Sequence, residues 1–381
     1  MIETENHSPF PHTSFDKGTT KGQFFDVIVV SGSFGLEHGQ PLYPLALHRP
    51  ILTSDRYVGE PETTALLEET HLVVAKRRTD IHLLGHAHAK DRTPRASWDL
   101  GFALGGVRKT ARVTGLRAWG WTPVGGWTLS APTPTEQIAL HCGNAYGGYL
   151  SRRVEARADE VIDRYNSEQS DTYLINPVGL GYTGAAPLDC AAFYRAAQIE
   201  AITEPINDIR KTYAPVCFGP RARWCADRIA LAGTYDYVWR NQHFPYLPPD
   251  FDFAFYQSAQ PDLISPDFLQ GDESLALIGC TESGELKSQL PGIRLLAILT
   301  DDSGHRESVG MRLDTVSIDL DERVARLVWR LTVPKSWQLR HAMIAAIPNG
   351  AAQPEPTRPV YFHRASPSRS EQSGQTEPTR G

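Results

Sequence analysis

The chain has 381 residues, of which 41% are hydrophobic and 22% charged, with a formal net charge of -6. That length allows two domains of ordinary size and a sizeable core, and the mild acidity lacks the basic excess that nucleic-acid binding usually shows. No apolar run approaches the roughly 20 residues needed to span a bilayer.

Taken in order, residues 1–22 are polar and without period, which predicts a disordered N-terminal tail. The start MIETENHSPFPH lacks the basic and apolar regions of a signal peptide, so a cytoplasmic protein without membrane attachment is expected. Residues 23–150 read as an N-terminal antiparallel β domain. FFDVIVV is a short apolar strand run that ends at SGSFG. Further on, Ile81, Leu83, Gly85, Ala87 and Ala89 alternate with His82, Leu84, His86 and His88, the period-2 signature of a half-buried strand. Trp98, Leu100, Phe102 and Leu104 repeat it, Gly105 and Gly106 offer a tight turn, and VRKTARVTGLRAWGW supplies the returning strand.

Residues 151–210 form a helical and loop connection. In RRVEARADEVIDRYN, Val154, Ala158, Val161, Ile162 and Tyr165 share one helical face, and LDCAAFYRAAQIEAI suggests a second, shorter helix. Residues 211–345 form a C-terminal β-rich domain around the aromatic and proline-rich stretch 229–263. Pro245, Pro248 and Pro249 there hold the backbone extended, so an ordered, non-repetitive loop is expected. Its rings either plug a β domain or form a binding surface. The strands SLALIG, IRLLAILT, GMRLDTVSIDL and RVARLVWRLTV follow, separated by SGE, DDSGH and DER, and the last two form a hairpin. Residues 350–381 are rich in Pro, Ser, Glu, Gln and Arg, which predicts a disordered tail. The fold class is therefore mainly β, with antiparallel sheets or sandwiches in two parts, one or two helices and long ordered loops.

Chemistry is sparse. His82, His86 and His88 at even spacing would project from one strand face, as metal ligands do in several hydrolases, with His141 or Asp80 as further ligands. The alternative is polar side chains on the wet face of a sheet. GLGYTG at 179–184 matches a dinucleotide fingerprint, but Pro177 and Pro187 bracket it and no alternating strand and helix pattern surrounds it. Asp250 and Asp252 are expected to cap turns. The five cysteines, Cys142, Cys190, Cys217, Cys225 and Cys280, show no CxxC pair and are expected as reduced thiols.

Several blocks in fixed order carry a resemblance. NPVGLGY at 176–182, EPINDI, and CFGPRARWCADRIALAGTYDYVWRNQHFPYLPPDFDFAFYQSAQPD from 217, preceded by TDIHLLGHAHA, GLRAWGW and GNAYGG, resemble a bacterial domain-of-unknown-function family associated with type VI secretion. The resemblance spans about residues 70–333. Leu116, Gly143 and Cys217 depart from its pattern, standing where an acid, a glutamate and a glycine are usual. It makes the glycines of NPVGLGY a turn with positive φ and close packing. It also implies a non-enzymatic effector adaptor or chaperone that binds a cognate secreted effector and helps load it on VgrG or PAAR spike proteins, with no cofactor. On that reading the protein-binding anchors are Trp119, Tyr146, Trp224, Tyr235, Asp236, Trp239 and Phe251. The alternatives are a metal-dependent hydrolase using His82, His86 and His88, or a structural component of the secretion apparatus.

Overall fold

The computed structural model describes residues 2–61, 63–153, 168–185 and 187–347. The chain is mainly β, with 42% of residues in strands against 9% in helix, and among the described residues no sheet closes into a barrel. The strand Phe24–Gly35 is the backbone of the architecture. It pairs antiparallel with His12–Gly18 on one side and with Val324–Pro334 on the other. Arg312–Asp319 and then Asp80–Leu84 extend this sheet, the last pair parallel, while Tyr43–Pro44 adds to one end of Phe24–Gly35.

Every residue of Phe24–Gly35 after the first is buried. Ile28, Val30 and Phe34 face the main core with Trp329, Leu327 and Leu331. Phe25, Val27 and Val29 face a second core that includes Val73, Val74, Phe251 and Tyr256. A strand covered on both faces reads as a continuous apolar run, which is why FFDVIVV does not alternate.

Two further sheets close the main core. One runs Ile199–Glu200, Val107–Thr114, Ser97–Leu104, Ser274–Ile278, Glu285–Gln289, and the other runs Glu3–Asn6, Leu339–Ile347, Arg294–Asp301, Arg306–Gly310. The Gly105–Gly106 turn joins Leu104 directly to Val107, as its spacing predicts. The hairpins across SGE, DDSGH and DER form as expected. All three large sheets draw strands from both sides of residues 151–210, so chain order and sheet membership do not coincide.

Two sequence expectations need correction. Residues 3–18 are not a tail: Glu3–Asn6 pairs in parallel with Leu339–Ile347, and buried Phe10 stacks on Trp329 at 5.6 Å. The short apolar content of this segment hid two edge strands that gain their stability from non-local partners. The helix expected over 188–202 is absent; Tyr194–Arg195 and Ile199–Glu200 instead add to the edges of two sheets. There the burial of Ala197, Ile199 and Glu200, the last paired to Arg117 Nη2 at 2.9 Å, outweighs local helix propensity. Most of the helix expected over 152–166, and the tail expected over 350–381, lie outside the described residues.

The irregular segments are fastened by buried charge. Arg228, fully buried, donates from Nη2 to Glu69 Oε1 at 2.7 Å and to the carbonyls of Phe255 and Arg221. Burial opposes ionisation of Glu69, but Arg228, Lys76 and Arg223 outweigh it and hold its pKa below the ordinary value. Asp80 accepts from Lys76 Nζ, Gln257 Nε2 and the Ser258 backbone at 2.7 to 2.8 Å. Such pairs are costly to break singly because a buried partner loses its counter-charge. Arg228→Ala is therefore expected to lower the unfolding free energy by about 3–5 kcal/mol in urea titrations. A loss under about 1 kcal/mol, the range of exposed ion pairs, would show that Arg228 is not a fastener.

Candidate functional site

The aromatic stretch divides into an inner plug and an outer knuckle. Phe251, Phe253, Phe255 and Tyr256 pack ring against ring, with centroids 5.4 to 6.2 Å apart, over the second core. Asp252 begins this turn by accepting from the Ala254 N–H at 2.7 Å, and Asp250 accepts from the Thr234 N–H at 3.0 Å and its hydroxyl at 2.7 Å. Asp252 thus caps its turn, as expected, whereas Asp250 instead tethers Thr234 from a distant part of the segment.

The knuckle, residues 229–246, surrounds a short helix, Tyr237–Gln242. Asp236 caps it, its carboxylate accepting from the Trp239 N–H at 2.8 Å. The Trp239 indole N–H donates to the Tyr246 carbonyl at 2.8 Å, and its ring sits between Tyr235, 4.7 Å away, and Phe244, 5.8 Å away. Around that pinned indole the apolar side chains face outward. Tyr237 is 80% exposed, Phe244 67%, Tyr235 53%, and Val238 49%. Phe24, also exposed, meets Tyr246 edge-on at 5.9 Å. Rings held by a cap and an indole hydrogen bond present apolar surface with little left to order, which is how interface anchors work.

The other expected anchors lie elsewhere. Phe251 belongs to the plug, and Trp119 and Tyr146 are buried in a third core with Ile206, Ile209 and Tyr213. The Tyr146 hydroxyl donates to the Lys211 carbonyl at 3.2 Å, and burial pushes its pKa up to about 12. Trp224 is half-buried and stacks on Tyr57 at 5.5 Å. Of the seven expected binding residues, the structure therefore gathers Tyr235, Asp236 and Trp239 in the knuckle, with Asp236 acting as a helix cap. Sequence reasoning missed Tyr237, Val238 and Phe244 as surface residues. Their segment has no period, so nothing local says which ring turns outward.

The histidines do not share a strand face. Gly85, at φ +80°, separates Asp80–Leu84 from His86–His88, which pairs instead with Gln137–Ala139. His82 is buried between the hydroxyls of Ser317 at 3.2 Å and Ser258 at 3.3 Å. His86 Nδ1 and His88 Nε2 lie 2.8 and 3.3 Å from Asp321. Among the described residues, no group of three or more His, Cys, Asp or Glu is placed to hold a metal ion. Alternation predicted one continuous strand, and a single positive-φ glycine undid it.

The glycines of NPVGLGY pack as the resemblance implies. Leu180–Gly181 bridges in parallel to Tyr146–Gly147, Gly181 has φ +98°, and a Cβ on Gly179 would lie 2.7 Å from the Gly147 Cα. The buried Asn176 amide donates to the carbonyls of Cys142 and Tyr146 at 2.9 and 3.0 Å. Beside this clasp Cys142 and Cys217, 5.2 Å apart at Cα, form a disulfide, which corrects the expectation that all five cysteines are reduced. A separation of 75 residues concealed the pair. Cys190, Cys225 and Cys280 are free.

The buried histidines make stability depend on pH. Burial pushes the His82 pKa down to about 4 and holds His71 well below its ordinary value. Above about pH 6.5 both folded and unfolded chains carry these rings neutral. As the pH falls toward 4, the unfolded chain takes up protons that the folded form refuses, so stability is lost across that window. His82 alone is expected to remove about 2 kcal/mol between pH 7 and pH 5. Urea unfolding at both pH values tests this. His82→Gln should shrink the pH-dependent loss by about that amount, and an undiminished loss would rule His82 out as its source.

No curated protein and no solved structure matches this chain. A family model described as "Uncharacterized protein conserved in bacteria (DUF2169)" matches residues 21–330, from the central strand through most of its partner Val324–Pro334. The chain belongs to that family of bacterial proteins.

Proposed function

We propose that this protein is a non-enzymatic adaptor or chaperone that grips another polypeptide through the aromatic knuckle at 229–246. The observation that carries the reading is an outward-facing cluster of Tyr235, Tyr237, Val238 and Phe244 braced from beneath by Trp239. Large apolar side chains exposed together on a rigid support mark a protein-binding surface. The motif blocks at 176–182 and from 217 onward support the finer reading. On it the partner is a cognate toxic effector of type VI secretion, held in the cytoplasm and passed to the VgrG or PAAR spike. The net charge of -6 suits a basic effector through electrostatic steering.

The knuckle can be tested without disturbing the fold, since Tyr235 and Phe244 are more than half exposed. Tyr235→Glu with Phe244→Glu is expected to weaken binding of the cognate effector about tenfold or more by calorimetry, with the urea unfolding midpoint unchanged. Val124→Glu, at a fully exposed site in a different turn, serves as the control and should bind normally. Undiminished effector binding by the double variant, or normal effector export from cells lacking this protein, would overturn the reading.

A further inference from the structure

A cavity of about 210 Å³ opens beside the NPVGLGY clasp, and both cysteines of the Cys142–Cys217 disulfide line it. Ile175, Ala214, Pro215 and Pro261 give it apolar walls. Its charged lining residues, Arg221 and Asp227, are paired with each other, and Arg221 also donates to the carbonyls of Ala259 and Gln257, so that pair adds no net charge. At about 30 Å³ per water, the space holds roughly seven water-sized groups, which suits a small uncharged molecule.

Cys142 keeps 4% of its surface exposed and Cys217 none, so the Cys142 side is where a reagent meets the bond. The surroundings provide for the reduced forms of that sulfur. Gln260 Nε2–H donates to Cys142 Sγ at 3.3 Å, which favours a thiolate there, and the Pro220 carbonyl lies 3.5 Å from the same sulfur as an acceptor for a thiol S–H. The two cysteines are also held side by side by contacts other than the bond. The Phe218 N–H donates to the Leu140 carbonyl at 3.2 Å, the Leu83 N–H donates to the Phe218 carbonyl at 3.1 Å, and the Asn176 amide fastens the Cys142 carbonyl at 2.9 Å. Opening the disulfide thus leaves both sulfurs placed to close it again, as reversible exchange requires.

We infer that Cys142–Cys217 is a thiol–disulfide exchange site for a small dithiol admitted through this cavity. A thiolate of the dithiol bonds to Cys142 Sγ, the bond between the two cysteines breaks, and its electron pair leaves on Cys217 Sγ, which takes a proton. The second thiolate then attacks the reductant's own sulfur in the mixed disulfide. Cys142 leaves as a thiolate that accepts from Gln260 until it is protonated. The chain gains two electrons and two protons, both protons coming from the reductant's thiols through water, and the reductant departs as its own disulfide. The site shares no lining residue with the aromatic knuckle, and it stands whether or not the knuckle grips a partner.

Reduction of the folded protein, followed by acid quenching, alkylation and peptide mass spectrometry, tests the site. In protein purified without reductant, Cys142 and Cys217 should resist alkylation even when unfolded, while Cys190, Cys225 and Cys280 react. Dithiothreitol should open the bond at a rate that urea well below the unfolding midpoint leaves unchanged, whereas a bond reached only through global unfolding would open faster as urea rises. 2-Mercaptoethanol, a single thiol that cannot resolve its own adduct, should be trapped on Cys142. Glutathione, a charged tripeptide larger than the cavity, should react more slowly than 2-mercaptoethanol. Gln260→Met should slow release of the Cys142 adduct by dithiothreitol about three- to tenfold, the loss of one hydrogen bond to the leaving thiolate. The inference is overturned if Cys142 and Cys217 alkylate freely before reduction, if the rate of opening rises with urea as global unfolding does, if the adduct sits on Cys217, if glutathione reacts as fast as 2-mercaptoethanol, or if Gln260→Met releases the adduct at the unmodified rate.

Discussion

The strand pair Phe24–Gly35 and Val324–Pro334 is buried on both faces, and the rest of the molecule answers that constraint. One face meets the main core, closed by the sheets that contain Ser97–Leu104 and Arg294–Asp301. Among the described residues, no sheet covers the other. Phe251, Val73 and Val74 from irregular backbone, and Tyr256 from a single 3-10 turn, do that work. Leaving those strand residues in water would forfeit roughly 1.5–3 kcal/mol for each large apolar side chain, so the loop layer is as necessary to the fold as the strands.

Irregular backbone cannot satisfy its own polar groups as a sheet does, and the buried charges follow from that. Arg228 satisfies carbonyls of Phe255 and Arg221 while neutralising Glu69, and Arg330 reaches the carbonyls of His71 and Val73 while paired with Asp314. Asp80 collects Lys76, Gln257 and Ser258 from both covering segments. These contacts hold the 250–258 turn, and the turn in turn anchors the knuckle: Asp250 grips Thr234, and the Asp252 N–H donates to the Leu231 carbonyl. The outward rings at 235–244 are thus a rigid extension of the layer that covers the central strands. That continuity is what makes a protein-binding platform a physical reading of the segment, beyond its aromatic composition.

The placement of His86 and His88 arises from a different junction. Gly85 turns the chain out of the central sheet, and a Cβ at that position would lie 2.8 Å from the Asp321 carboxyl. The same close approach lets Asp321 accept from both the backbone N–H and the ring of His86. A glycine that breaks a strand and a carboxylate that anchors the segment after it are therefore one local arrangement.

Wherever a residue's environment was set by its sequence neighbours, the sequence was legible. The turn at Gly105–Gly106, the hairpin from Val316 to Val333, the capping role of Asp252 and the mainly β character all follow from period, turn chemistry and composition. The tertiary structure decided what depends on distant partners. It made strands of residues 3–6 and 12–18, turned 194–200 from a helical pattern into sheet edges, and joined Cys142 to Cys217. It also buried Trp119, Tyr146 and Phe251 while exposing Tyr237 and Phe244. Ring by ring, an aromatic in a segment without period carries no local mark of its direction. That direction is chosen by the uncovered face of a strand more than 200 residues earlier, and by the buried charges that hold the covering layer in place.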